Sequence, residues 1–165
     1  MDGTSEVQLP YHHTQIGYPM IAALVFGTFT QLRSLFRDLR ARKPRVWMHV
    51  PGLLVFVAVM AAFSRLAVDV DEDAVTAGYA IGVARRRIDP RQIEHAETVK
   101  TPWYSGWGVR MKPSGLLHNA WGRQGVKLRL VSGRDFTIGS NEPEVLLAAI
   151  ESARAKAAAA GSAAA

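Results

Sequence analysis

Residues 46–63 read Val46-Trp47-Met48-His49-Val50-Pro51-Gly52-Leu53-Leu54-Val55-Phe56-Val57-Ala58-Val59-Met60-Ala61-Ala62-Phe63, eighteen positions without a charge. A bilayer core about 30 Å thick takes roughly 17–25 helical residues, so the run is long enough to cross. A helix of a soluble protein carries a polar stripe, and none is present here. His49 sits near the start, and Pro51-Gly52 fall in the first third, where neighbours in lipid can satisfy the freed backbone groups. The run reads as a membrane span.

Working outward, Ile16 to Thr30 is also uncharged. These fifteen residues reach spanning length by running on through Gln31, Leu32 and Arg33 toward Leu35 and Phe36, with Arg33 snorkelling to the headgroups. Between the two runs lie six cations, Arg33, Arg37, Arg40, Arg42, Lys43 and Arg45, against the single acid Asp38. Tyr11, Tyr18 and Trp47 stand near the ends, as in aromatic belts. The expected organisation is a tail (1–15), a membrane hairpin (16–63, spans about 16–34 and 46–63, basic loop 33–45), a main domain (64–154) and an Ala-rich tail (155–165). The first fifteen residues hold Asp2 and Glu6, no Lys or Arg, and no small-residue cleavage pattern follows, which argues against a cleaved signal peptide. With no cysteine there is no disulfide framework and no thiol for a lipid anchor. Cations flanking spans stay in the cytoplasm, so the loop is expected inside and the main domain outside.

The net charge of +6 invites a nucleic-acid reading, but its distribution argues otherwise. The tail contributes −2, residues 33–45 contribute +5 and residues 64–165 contribute +3. The excess sits beside the membrane, where each Lys or Arg near an anionic surface is worth about 1 kcal/mol. No nucleic-acid partner is expected. Within the domain, Arg85-Arg86-Arg87 is the one basic run: either a solvated strand edge or a contact for lipid or an acidic partner.

From Leu66 the apolar period becomes two, the strand signature. Leu66, Val68 and Val70 alternate, Asp71-Glu72-Asp73 turns, and Val75, Ala77, Tyr79 and Ile81 alternate back. Arg87-Ile88-Asp89-Pro90 reads as a break. Further strands are expected at Ile93–Val99, Trp107–Met111, Leu116–Trp121, Val126–Leu130 and Phe136–Ile138, seven in all, separated by Gly- and Ser-containing turns. Asn141-Glu142-Pro143-Glu144 then opens a helix, with Asn141 as N-cap and Glu144 completing a capping box. That helix is expected to reach Arg154 or Lys156, leaving a frayed tail. The class is α+β: a helical hairpin, then an antiparallel barrel or sandwich closed by a C-terminal helix.

Three segments carry a resemblance: Trp103-Tyr104-Ser105-Gly106-Trp107-Gly108-Val109-Arg110, Gly125-Val126-Lys127-Leu128-Arg129-Leu130, and Phe136-Thr137-Ile138-Gly139-Ser140-Asn141-Glu142-Pro143-Glu144. They are similar to bacterial pleckstrin-homology-like (PH-like) membrane proteins, small chains with a membrane hairpin ahead of one PH-like domain. The resemblance extends from Ile16 to about Ile150. It implies a PH-like domain and a membrane setting and transfers no enzymatic activity. The six-cation loop departs from relatives whose loop is less charged.

No residue pattern specifies catalysis or a cofactor. Asp69-x-Asp71-x-Asp73 opens like a calcium loop, but Ala74 and Ala80 stand where Gly and Glu are required. His12-His13 is adjacent rather than four apart, and no metal site is expected. Neither a nucleophile elbow nor a phosphate-cradling glycine loop occurs. Trp103, Tyr104 and Trp107 are the most suggestive local group. They either pack in the barrel or form an aromatic surface, since such rings favour apolar–wet boundaries. The expected function is a non-catalytic membrane protein whose domain binds a membrane or envelope protein. The alternative is an anionic headgroup binder using Arg85–Arg87 with Trp103, Tyr104 and Trp107. A membrane-bound enzyme is a third class.

Overall fold

A computed structural model describes residues 9–44, 46–82, 84–101, 108–112 and 115–163. β1 (Tyr11–Ile16) leads straight into α1 (Tyr18–Arg40), whose first turn carries Pro19 and whose last turn carries Arg37 and Arg40. Both suit their ends: the first-turn N–H groups have no intrahelical partner anyway, and cations favour the negative C-terminus. A short turn and a 3-10 segment (Val46–Met48) lead into α2 (His49–Phe63), which returns antiparallel to α1. Among the described residues, nine strands, two apolar helices ahead of most of them and one C-terminal helix make the fold α+β.

β2 (Arg65–Val70) follows α2 immediately and pairs with β1, Tyr11 opposite Val70 through to Ile16 opposite Arg65. The stretch expected as a tail is therefore an edge strand, Ile16 belongs to it rather than to a span, and the hairpin is an insertion between two neighbouring strands. β3 (Val75–Tyr79) and the short β4 (Arg86–Ile88) complete a four-stranded antiparallel sheet ordered β1-β2-β3-β4. β4 lies where a break was expected. Its buried Ile88 sits behind three arginines that mask the alternation.

The second sheet comprises β5 (Ile93–Lys100), β6 (Gly108–Lys112), β7 (Gly115–Asn119), β8 (Gln124–Leu130) and β9 (Asp135–Gly139), in the order β5-β8-β9-β7-β6. The seven-stranded, wholly antiparallel expectation is corrected: the described residues form nine strands, and β7 and β9 pair in parallel. At the start of β7, Gly115 (φ 153°) lies directly on the Asp135 backbone, an approach that leaves no room for a Cβ. The alternation of β2 (Leu66, Val68, Val70) and β8 (Val126, Leu128, Leu130) places both apolar faces in one core with Phe136 and Ile138.

α3 (Pro143–Ala163) closes the core with Leu146, Ala149, Ile150 and Ala153. It runs on past Lys156, because alanine has the highest helix propensity and Lys156 is tied to Glu72 at 2.9 Å. The side chain expected as its cap, Asn141, is instead engaged by Gln15, and just ahead of the helix the Ser140 hydroxyl accepts from the Glu142 N–H (3.0 Å).

Gln15 joins the parts. Its side chain is fully buried. Its Oε1 accepts from the N–H groups of Ala120 (3.1 Å) and Trp121 (3.2 Å), and its Nε2 donates to the Trp121 carbonyl and to Asn141 Oδ1 (3.1 Å). One side chain thus ties the edge of the first sheet to the β7–β8 connection and the approach to α3. Beside it the Ser64 carbonyl accepts from Gly17 N–H (2.7 Å), closing the base of the hairpin. Gln15→Leu keeps the shape but removes the acceptor of the buried Ala120 N–H, which costs about 1–3 kcal/mol, together with the Gln15 contacts to Trp121 and Asn141. A loss of about 2–4 kcal/mol is expected, measured by denaturant unfolding of the detergent-solubilised chain.

Candidate functional site

The hairpin carries the molecule's exposed apolar surface. Among the described residues, twelve of the sixteen exposed large apolar side chains lie between Tyr18 and Val59; the other four are Met111, Trp121, Val131 and Val145. No residue of α2 is buried, and in α1 only Asp38 is. Two helices sheltered in a soluble core would show the opposite. Both are long and apolar enough to cross a membrane: α1, and the 3-10 segment running into α2. They pack on each other where Gly27 meets Phe56; a Cβ at Gly27 would overlap that ring, so the glycine sets the helix spacing. With Gly27 level with Phe56 in an antiparallel pair, Arg33 falls level with the start of α2. The uncharged part of α1, Tyr18 to Leu32, is therefore about 22 Å long at about 1.5 Å per residue, and Arg33, Arg37 and Arg40 occupy the helical turns beyond it.

The expected basic loop 33–45 is thereby corrected. Arg33, Arg37 and Arg40 belong to α1 because Leu, Phe and Arg sustain a helix, Arg42 and Lys43 lie in the turn, and Arg45 lies outside the described residues. Asp38 organises this tip. It is buried, with Lys43 Nζ at 3.0 Å, His49 Nε2 at 3.1 Å and Arg37 Nε at 3.8 Å, and its carbonyl accepts from Lys43 N–H (3.1 Å). Arg42 turns the chain with a left-handed backbone (φ 48°).

At the opposite end, the root, β3 returns toward the hairpin, and the 3-10 turn Ala80–Gly82 packs against α2. Arg85 follows this turn and lies over Gly78, while Arg86 and Arg87 stand opposite Ala77 and Thr76 in β4. All three are exposed. They do not form one face: neighbouring strand residues point oppositely, and Arg86 shares the side of Ile88. The expected partners of this triplet, Trp103, Tyr104 and Trp107, lie outside the described residues.

Beneath Arg86 lies an aromatic cluster that sequence patterning missed. Phe63, the last residue of α2, meets Tyr79 with ring centroids 5.1 Å apart; Tyr79 meets His118 at 5.7 Å; and His118 meets Phe136 edge-on at 5.0 Å. His118 is 1% exposed, and neither ring nitrogen has a hydrogen-bond partner among the described residues. Burial, with the charge of Arg86 adding to it, pushes its pKa down to about 4. Burial likewise raises that of Tyr79. The available signal was weak: His118 follows Leu116-Leu117 in a strand without alternation, where Leu117, His118 and Asn119 are all buried.

His12 is hydrogen-bonded to Asp69, its cross-strand partner, and Asp71 closes the β2–β3 turn through its N–H to the Ala74 carbonyl (2.8 Å). Two members of the Asp-x-Asp-x-Asp run are thus engaged in the sheet and its turn. Among the described residues no group of three His, Cys, Asp or Glu is placed to hold a metal. No protein-family model, curated protein or solved structure matches this chain.

Two outcomes are expected. Gly27→Leu should push α1 from α2 at a cost of about 1–3 kcal/mol. Gly52→Leu, where nothing lies within 4 Å of the new Cβ, should not, as read by thermal unfolding in micelles. For His118 the folded pKa is depressed below the usual value near 6.5, so its contribution is complete above about pH 6.5 and lost as pH falls toward 4. At about 1.36 kcal/mol per pKa unit the loss is on the order of 3 kcal/mol. Denaturant unfolding between pH 7.5 and 4.5 should show this acid slope in the native chain and a shallower one in His118→Phe.

Proposed function

We propose that this chain is a non-catalytic membrane protein of the PH-like type, whose hairpin spans the bilayer and whose domain binds a protein partner at the membrane surface. The observation that carries this reading is the insertion of an apolar, outward-facing hairpin between two paired strands. A domain on a single tether swings; one rooted at both Gly17 and Ser64 holds a fixed face toward the membrane and a fixed face away from it. Such a platform suits recognition of a partner that shares the membrane. The core of two packed sheets closed by a C-terminal helix supports the PH-like reading, and the parallel β7–β9 pair is this chain's departure from an antiparallel meander.

The six cations between the two apolar runs, against Arg65 as the one Lys or Arg between Phe63 and Arg85 in the sequence, favour a cytoplasmic tip and an extracytoplasmic domain. The exposed Arg85–Arg87 edge favours an acidic segment of the partner, since its charges blunt self-pairing of the sheet edge while attracting carboxylates. A second reading, an anionic headgroup at the same arginines, draws on the place of Arg85 just after the 3-10 turn that packs on α2.

Chemical cross-linking of the full chain in its native membranes, followed by solubilisation, should retain a partner protein. Charge reversal of Arg85, Arg86 and Arg87 to Glu should release it at least about tenfold, as expected when several charge-assisted contacts worth about 1.5–3 kcal/mol each are lost. Absence of a retained protein, or equal retention by the variant, contradicts the protein-partner reading.

A further inference from the structure

We propose that the outer face of the C-terminal half of α1 is a binding site for one anionic phospholipid in the leaflet at the hairpin tip. The proposal rests on the hairpin spanning a bilayer. Phe26, Phe29, Arg33, Phe36, Arg37 and Arg40 recur at spacings of three and four, which places them on one helical face. All six are exposed, and Gly27, which faces α2, lies about a quarter-turn away. They line a shallow groove of about 1030 Å³.

Charge, order and length specify the occupant. Among the described residues neither Arg33 nor Arg40 has a carboxylate within ion-pair distance, and the one acid nearby, Asp38, is held more closely by Lys43 (3.0 Å) and His49 (3.1 Å) than by Arg37 (3.8 Å). Arg33 and Arg40 therefore face outward without a carboxylate partner, and Arg37, loosely held by Asp38 (3.8 Å) and Ser34 (3.4 Å), stands between them, all three in the planar geometry that suits phosphate oxygens. Along the helix the cations stand nearest the tip, and Phe29 and Phe26 lie deeper, the order of a phosphate above its acyl chains. From Phe26 to Arg40 the helix rises about 21 Å, close to one leaflet with its headgroups at about 20–22 Å. The uncharged length of about 22 Å is short for a core of about 30 Å, which draws Arg33 toward the phosphate plane. A second copy of the chain fits poorly. In one bilayer it shares this chain's orientation, so two-fold pairing through this face sets arginine against arginine.

The test uses the full chain reconstituted in phosphatidylcholine vesicles, with electron spin resonance of spin-labelled phosphatidylglycerol or phosphatidylcholine reporting the lipid held at the protein. The native chain should hold phosphatidylglycerol with a preference of about fivefold or more. Arg33→Gln/Arg37→Gln/Arg40→Gln should bring the preference near one. Arg42→Gln/Arg123→Gln/Arg134→Gln, which removes equal charge from exposed positions off the groove, should keep it. Equal loss in both variants means diffuse surface charge and overturns the site. So does an absence of preference in the native chain while immobilised lipid is present. Oxidative cross-linking of Phe29→Cys to its copy identifies a second chain as the occupant and also overturns it. If neither labelled lipid is immobilised, the chain is not embedded, and the spanning reading fails together with the site.

Discussion

β1 and β2 pair along their full lengths across the base of the hairpin, and the rest of the structure hangs on that pairing. It makes the apolar helices an insertion within a sheet rather than a leader ahead of a domain. The Gly17–Ser64 hydrogen bond and the buried Gln15 amide lock the point where strand becomes helix. Were β1 to detach, the hairpin would hang from Ser64 alone, Gln15 would leave Ala120 and Trp121 without their side-chain acceptor, and the first sheet would lose its edge. The orientation of the domain relative to the hairpin is therefore a property of backbone pairing and not of linker length.

The two ends of the hairpin are built from different physics. At the root, neutral contacts dominate: Phe63 feeds into the Tyr79–His118–Phe136 aromatic cluster, so the last turn of α2 is continuous with the domain core. At the tip, charge dominates, with one buried acid holding the turn and arginines spread outward along α1. In the proposed membrane setting, an uncharged length shorter than a typical bilayer core would bring the arginine heads to the phosphates while their stems lie along apolar surface.

The apolar hairpin was legible because eighteen consecutive uncharged residues admit few other readings, and β2, β3, β8 and β9 were legible from clean alternation. β1 was not: Tyr11-His12-His13-Thr14-Gln15 has no apolar alternation, and its inward-facing side chain is a glutamine whose partners lie more than a hundred residues away. β4 hid behind Arg85–Arg87. The parallel β7–β9 pairing carries no local signal, since parallel and antiparallel strands share one period. The helix start was read one residue too early: α3 begins at Pro143, with the Glu142 carbonyl accepting its first bond, and the Asn141 side chain has a longer-range use with Gln15. The candidate contacts were legible as residue types, whereas their division between root, tip and helix face required the fold.

The central claim is that the hairpin crosses the bilayer, with the domain on one side and the tip on the other. The chain has no cysteine, so single cysteines at Thr14, Arg42 and Glu144, all exposed, can be labelled with an impermeant maleimide in sealed native membrane vesicles of known sidedness. A spanning hairpin gives Thr14 and Glu144 the same accessibility and Arg42 the opposite one. Labelling of all three from one side contradicts it.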